Sequence, residues 1–136
     1  MKRVLLFLSL VLFECNGNVN LDYKDIDNNK FIRWKEIFNH TESGYFYIFS
    51  YTCPNCEEIK SEVLQFLINQ DNYFLIPKDD DMRFSSNEKL SLGVSSIENL
   101  AIRGFPTLIH LERYIVDDII TGKTKILDHI KNSSIL

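Results

Sequence analysis

The chain has 136 residues, of which 45% are hydrophobic and 25% charged, and a formal net charge of −4. That length suits one compact domain and hardly two, and the balance is globular rather than disordered. An acidic chain with no basic stripe is not built to bind nucleic acid.

The N-terminus reads as a leader rather than as part of the fold. Met1-Lys2-Arg3 is a positive head, and Val4 to Phe13 is apolar apart from Ser9. Such a run is too short to span a bilayer as an ordinary helix and has the layout of a secretory signal. Residues 1–15 are therefore expected to be a signal peptide, with the protein outside the cytoplasm, in the periplasm or cell envelope. Leu12-Phe13-Glu14-Cys15 resembles a bacterial lipobox, which makes Cys15 a lipid attachment point and gives the protein a membrane anchor. Glu14 stands where a lipobox carries a small residue. Cleavage after Gly17 and an uncleaved anchor are the two other readings. The sequence has three Cys, and the two besides Cys15 form a single C-x-x-C, so none remains for a framework of structural disulfides.

Residues 16–30 are rich in Asn and Asp and read as a tether, with a short strand expected around Val19–Tyr23. Residues 31–136 are expected to form the domain. Phe31, Trp34, Ile37 and Phe38 recur at helical spacing up to His40, and Thr41 to Gly44 is a turn. Tyr45-Phe46-Tyr47-Ile48-Phe49 is a continuous aromatic and β-branched run, the pattern of a central strand buried on both faces. A helix follows to about Asn69, with Cys56, Ile59, Val63, Phe66 and Leu67 on one face. Tyr73–Ile76 is a second strand. Residues 79–96 are polar and irregular, with helical turns around Glu88–Leu92 and Ser96–Ile102. Thr107–Leu111 and Tyr114–Ile120 are two more strands, and Lys123–Lys131 is a last amphipathic helix. This order gives an α/β fold with a central mixed sheet of four to five strands flanked by helices.

Cys53-Pro54-Asn55-Cys56 lies between the first strand and the helix after it. A thiol is nucleophilic only as a thiolate, and a helix N-terminus favours that negative charge through its free N–H groups. Cys53 falls at the start of the helix, where it is exposed, and Cys56 one turn inside on the apolar face. With two residues between them their sulfurs can bond to each other, so Cys53 can attack a disulfide and Cys56 can resolve the mixed disulfide. Pro54 suits the first helical position, where its missing N–H costs little. A zinc site at this pair would need further ligands, and His40, His110 and His129 show no paired spacing. A structural disulfide and a C-x-x-C without a role are the other plain readings.

Arg103-Gly104-Phe105-Pro106-Thr107 follows fifty residues later, just before a strand. Together with the C-x-x-C, this segment resembles the thioredoxin superfamily, over roughly residues 31–132. The resemblance implies a thioredoxin-like fold in which Pro106 is preceded by a cis bond and faces the active disulfide. It further implies that the backbone of Phe105 pairs with an extended substrate strand, and that Gly122 matches a glycine between the last strand and last helix. Thioredoxins proper carry Trp before the first Cys, Gly-Pro between the two, and a buried Asp six residues ahead. Here those positions hold Thr52, Pro54-Asn55 and Tyr47. The Cys-Pro-x-Cys order is more similar to glutaredoxins and periplasmic disulfide oxidases.

The activity implied is thiol–disulfide exchange on exported proteins. Cys53 and Cys56 are its catalytic pair, and Pro54, Asn55, Phe105 and Pro106 support them. Protein thiol or disulfide substrates and a redox partner protein are the expected partners. No cofactor, metal or nucleic acid is expected, and the chain is read as a monomer. The alternative is a surface lipoprotein that uses the same fold as a non-catalytic binding module, with a structural disulfide. Glu57 and Glu58 in the first helical turn would oppose a Cys53 thiolate. His110 reads as a structural or surface histidine between Ile109 and Leu111, Trp34 as core, and Asp79-Asp80-Asp81 as a solvated loop without the spaced ligands of a calcium site.

Overall fold

The computed structural model describes residues 20–133. The signal-peptide reading of residues 1–15, Cys15 and Val19 lie outside the described residues. Four strands form one sheet: β1 (Gly44–Phe49), β2 (Tyr73–Pro77), β3 (Thr107–Glu112) and β4 (Ile115–Thr121), in the order β2-β1-β3-β4. β1 runs parallel to β2 and antiparallel to β3, and β3 pairs antiparallel with β4, so the sheet is mixed. The helices are α1 (Ile37–His40), α2 (Pro54–Ile68) and α3 (Lys123–Ser133).

Alternation along β1 divides the core. Phe46 and Ile48 face a layer built from Trp34, Ile37, Leu100, Ile102, Ile109 and Leu111. Tyr47 and Phe49 face the opposite layer, where Cys56, Ile59, Val63, Leu64 and Leu67 of α2 meet Ile126 of α3. All four of these β1 side chains are fully buried, as an aromatic run in a central strand requires. At Gly44, the first residue of β1, a Cβ would lie 2.9 Å from the backbone oxygen of Asn72, so a larger residue does not fit there. Gly122, at φ +104, takes the left-handed turn from β4 into α3, and its N–H donates to the Pro106 carbonyl at 2.9 Å.

The N-terminal segment departs from expectation. Residues 21–30 are not a free tether: Ile26 is buried, and Leu21 and Tyr23 pack against the α2–α3 layer. The Tyr23 ring stacks on Phe49 at 4.3 Å and 14°. The expected strand around Tyr23 is a 3-10 turn, Tyr23–Asp25, because the Asp22 side chain accepts the Tyr23 N–H and Asp25 accepts the Asp22 N–H. Side-chain bonds of this kind offer the backbone an alternative to a strand ladder. The helix expected over 31–40 is likewise interrupted. Phe31 forms an isolated parallel bridge with Leu75, Trp34–Glu36 is a 3-10 turn, and only Ile37–His40 is α-helical. The Trp34 N–H donates to Asp79 Oδ2 at 3.0 Å, and Asp79 Oδ1 accepts the Asp81 N–H at 2.9 Å. Asp79 thus clamps two segments rather than only lining a solvated loop.

The other elements follow the expected order, with 3-10 turns at Glu88–Ser91 and Ile97–Asn99. Buried Ser91 ties the long 79–103 connection by accepting from Ala101 N and donating to Ala101 O. Among the described residues no helix is long and apolar enough to cross a membrane. A chain beginning at Phe31 should unfold in urea with about 3 kcal/mol less stability than one beginning at Asn20, through lost burial of Ile26 and Tyr23. Equal unfolding midpoints for the two would restore residues 21–30 to a tether.

Candidate active site

β1 ends at Phe49, and the chain turns through Ser50–Thr52 to deliver Cys53 to the N-cap of α2. The turn is fastened by the Cys53 N–H on Ser50 O at 3.2 Å and by the Ser50 and Thr52 hydroxyls at 3.1 Å. Pro54 occupies the first helical turn, and the Glu57 N–H closes that turn on Cys53 O at 3.1 Å. Cys53 and Cys56 form a disulfide, with Cα atoms 5.2 Å apart. Cys53 Sγ accepts the Cys56 backbone N–H at 3.1 Å. Cys53 is half-buried and Cys56 only 1% exposed, while Asn55 between them is exposed. The outer sulfur therefore stands at the positive end of a helix and the inner one in the core.

The Phe105–Pro106 peptide bond is cis. Thr107 Oγ1 donates to Gly104 O at 2.6 Å and meets Thr121 Oγ1 at 2.9 Å, which pins this loop to the start of β3 and the end of β4. Phe105 is half-buried and, like Cys53, packs at the margin of the cluster that contains Cys56. Its ring meets the exposed Phe84 edge-on at 5.8 Å. Phe84 arrives from the 79–103 connection, whose irregular sequence carried no signal that it would end beside Phe105.

Electrostatics around the pair differ from the sequence expectation. Glu57 is paired with Lys60 at 2.9 Å, and Glu58 with Lys123 of α3 at 2.9 Å. Lys60 also reaches Asp22 at 3.1 Å. The two acids of the first turn are thus each accompanied by an ammonium group. The Glu57–Lys60 spacing was visible in the sequence, but Glu58 and Lys123 lie 65 residues apart. Tyr47, six residues before Cys53, is fully buried, and burial pushes its hydroxyl far above its ordinary range. Burial also raises the pKa of the half-buried Tyr23 hydroxyl, and neither hydroxyl has a hydrogen-bond partner among the described residues. Where a buried carboxylate could stand, the core under Cys56 offers a neutral phenol.

No protein-family profile matches the chain, and no curated protein matches it. Solved structures do. A chain of the ferredoxin:thioredoxin reductase and thioredoxin f2 complex is 18% identical, with 77% of this chain and 94% of that one covered at a TM-score of 0.53. The long form of thioredoxin f from spinach chloroplast is 14% identical over 86% of this chain and 98% of its own, at 0.49. Plasmodium falciparum thioredoxin is 16% identical over 76% and 97%, at 0.47. The first of these, with the sheet order and helical layers described above, is what the assignment rests on: the chain has a thioredoxin-like fold with a disulfide-bonded Cys-Pro-Asn-Cys pair at the start of α2.

Proposed function

We propose that the protein is a thiol–disulfide oxidoreductase that acts on exported proteins through Cys53 and Cys56. The observation that carries this reading is the placement of the pair, with Cys53 as N-cap of a 15-residue helix and Cys56 buried one turn behind it. In the reducing direction the Cys53 thiolate attacks one sulfur of a substrate disulfide. A Cys53–substrate disulfide forms and the other substrate sulfur leaves as a thiolate. Cys56 then attacks Cys53 Sγ, the second substrate thiol departs, and the pair is left oxidised as it stands here. Two electrons pass to the substrate, and the same steps reversed introduce a disulfide.

The helix N-terminus and the Cys56 N–H support negative charge on Cys53 Sγ before attack. Lys60 and Lys123 offset the carboxylates that would oppose it. Pro54 and Asn55 lie in the turn between the sulfurs, and Phe105, packed against the same cluster as Cys53, is assigned together with Pro106 to the neighbouring wall on the resemblance to thioredoxins. A redox partner protein that resets the pair completes the cycle, and the structural neighbour in a complex with a reductase supports such a partner. The leader pattern of residues 1–15 supports a site of action outside the cytoplasm, with Cys15 as the membrane attachment.

Cys53→Ser should abolish reduction of insulin disulfides, and Cys56→Ser should accumulate mixed disulfides visible on non-reducing gels. Faster alkylation of Cys56 than of Cys53 after mild reduction would reverse their roles. Loss of Lys60 leaves Glu57 uncompensated, so Lys60→Met should raise the pH at which reduced Cys53 becomes reactive. The shift should be a fraction of a pH unit, because the pair is partly solvent-screened. An iodoacetamide rate profile against pH reads it directly, and an unmoved or acid-shifted midpoint would remove Lys60 from the mechanism. Radiolabelled fatty acid should label the wild type and not Cys15→Ala. An unlabelled, soluble product starting after Gly17 would refute the anchor while leaving the redox reading intact.

A further inference from the structure

The sheet carries a second group of chemistry-bearing side chains at the end remote from the cysteines. His110 pairs in register with Tyr45 near the start of β1, whereas Cys53 follows the end of that strand. Along β3, Leu108 belongs to the α2–α3 layer and Ile109 and Leu111 to the opposite one, so His110 and Glu112 share the helix-covered face. β4 breaks the alternation. His110 pairs with Asp118 and Leu111 with Val116, so Asp117 is an extra residue in β4. Val116 and Ile119 accordingly face the same layer although three residues apart. A bulge of this kind re-aims a side chain, and here it sets Asp117 Oδ1 2.7 Å from His110 Nδ1.

One donor atom each from His110, Glu112 and Asp117 lies within 4.8 Å of the others. Metal–ligand bonds of about 2.0–2.2 Å place donors roughly 3–3.5 Å apart, a closure within reach of exposed, rotatable carboxylates. His110 is held more firmly: it is half-buried, and its ring lies 4.5 Å from that of Tyr45, whose hydroxyl meets His129 Nε2 at 3.3 Å. A cavity of about 240 Å³ bordered by Tyr45, Asn72, His110 and Glu112 opens beside the group and gives an ion and its water access. Among the described residues, neither Glu112 nor Asp117 forms an ion pair with a lysine or arginine.

We propose that His110, Glu112 and Asp117 bind a divalent transition-metal ion of the zinc class, with a fourth position open to water. One imidazole nitrogen and two carboxylate oxygens suit zinc. Calcium and magnesium prefer more oxygen ligands, and copper(I) prefers sulfur. On binding, His110 Nδ1 exchanges its hydrogen bond with Asp117 for a bond to the metal, and Asp117 becomes a co-ligand. The site is independent of the redox reading.

The test uses the full chain with Cys53–Cys56 oxidised and any free Cys15 thiol alkylated, so that no thiolate binds metal. Calorimetric titration with Zn²⁺ should give one ion per chain, and Co²⁺ should develop visible absorption bands of low-symmetry coordination. His110→Gln and Asp117→Asn should each weaken binding at least ~tenfold, while Glu98→Gln, on a separate turn, should leave it unchanged. Should His110→Gln fail to fold, Asp117→Asn and Glu112→Gln at exposed positions decide the question. Absence of saturable binding, or wild-type affinity in the folded ligand variants, would overturn the site.

Discussion

A strand that must be buried on both faces governs this molecule. Tyr45 to Phe49 bury so much aromatic and aliphatic surface that each side of β1 needs its own cover. One side is met by regular structure, the apolar stripes of α2 and α3. The other is met by short pieces, Trp34 and Ile37 and the 79–103 connection, which also cover the residues of β3 and β4 that extend this face. The direction of β1 then determines where the chemistry lies, because the turn after Phe49 must enter α2 with its first side chain at the helix cap. Cys53 holds that position, and Cys56 joins the same layer as Tyr47 and Phe49.

Around the pair, charge is kept at the rim and excluded from the floor. Lys60, Lys123, Glu57, Glu58 and Asp22 form exposed or partly exposed pairs that salt weakens. Tyr23, Phe49 and Tyr47 form a stacked aromatic floor whose hydroxyls stay neutral. A buried phenol that does not ionise adds no fixed negative charge beneath Cys56.

Much of this was legible in the residues because it depends on local patterns. The aromatic run of β1, Pro54 after the first Cys and the apolar stripe from Cys56 to Leu67 each specify their element within a few residues. The same holds for the pairing of C-x-x-C with Gly-Phe-Pro-Thr. What escaped reading rests on contacts far apart in the chain. Trp34 takes its place from Asp79, and Tyr23 from Phe49, so a segment that reads as polar linker and helix becomes a strap of 3-10 turns. Asp117-Asp118 gave a visible hint, two adjacent acids set between the apolar pairs Ile115-Val116 and Ile119-Ile120, a spacing that does not fit strict alternation. Only the register with β3 shows which of them is the extra residue.

The strap also limits how far the domain can stand from an anchor. With Cys15 acylated, six residue steps separate the lipid from Leu21, a reach of about 20 Å even when fully extended. A free segment up to Phe31 would have allowed more than twice that. Leu21 is fastened to α2 itself, its N–H donating to Ser61 Oγ at 3.0 Å. Along the helix Ser61 lies about 12 Å from the cap that holds Cys53. If Cys15 carries the lipid proposed above, the disulfide can stand no more than about 35 Å from it, roughly one domain diameter, whichever way the domain turns.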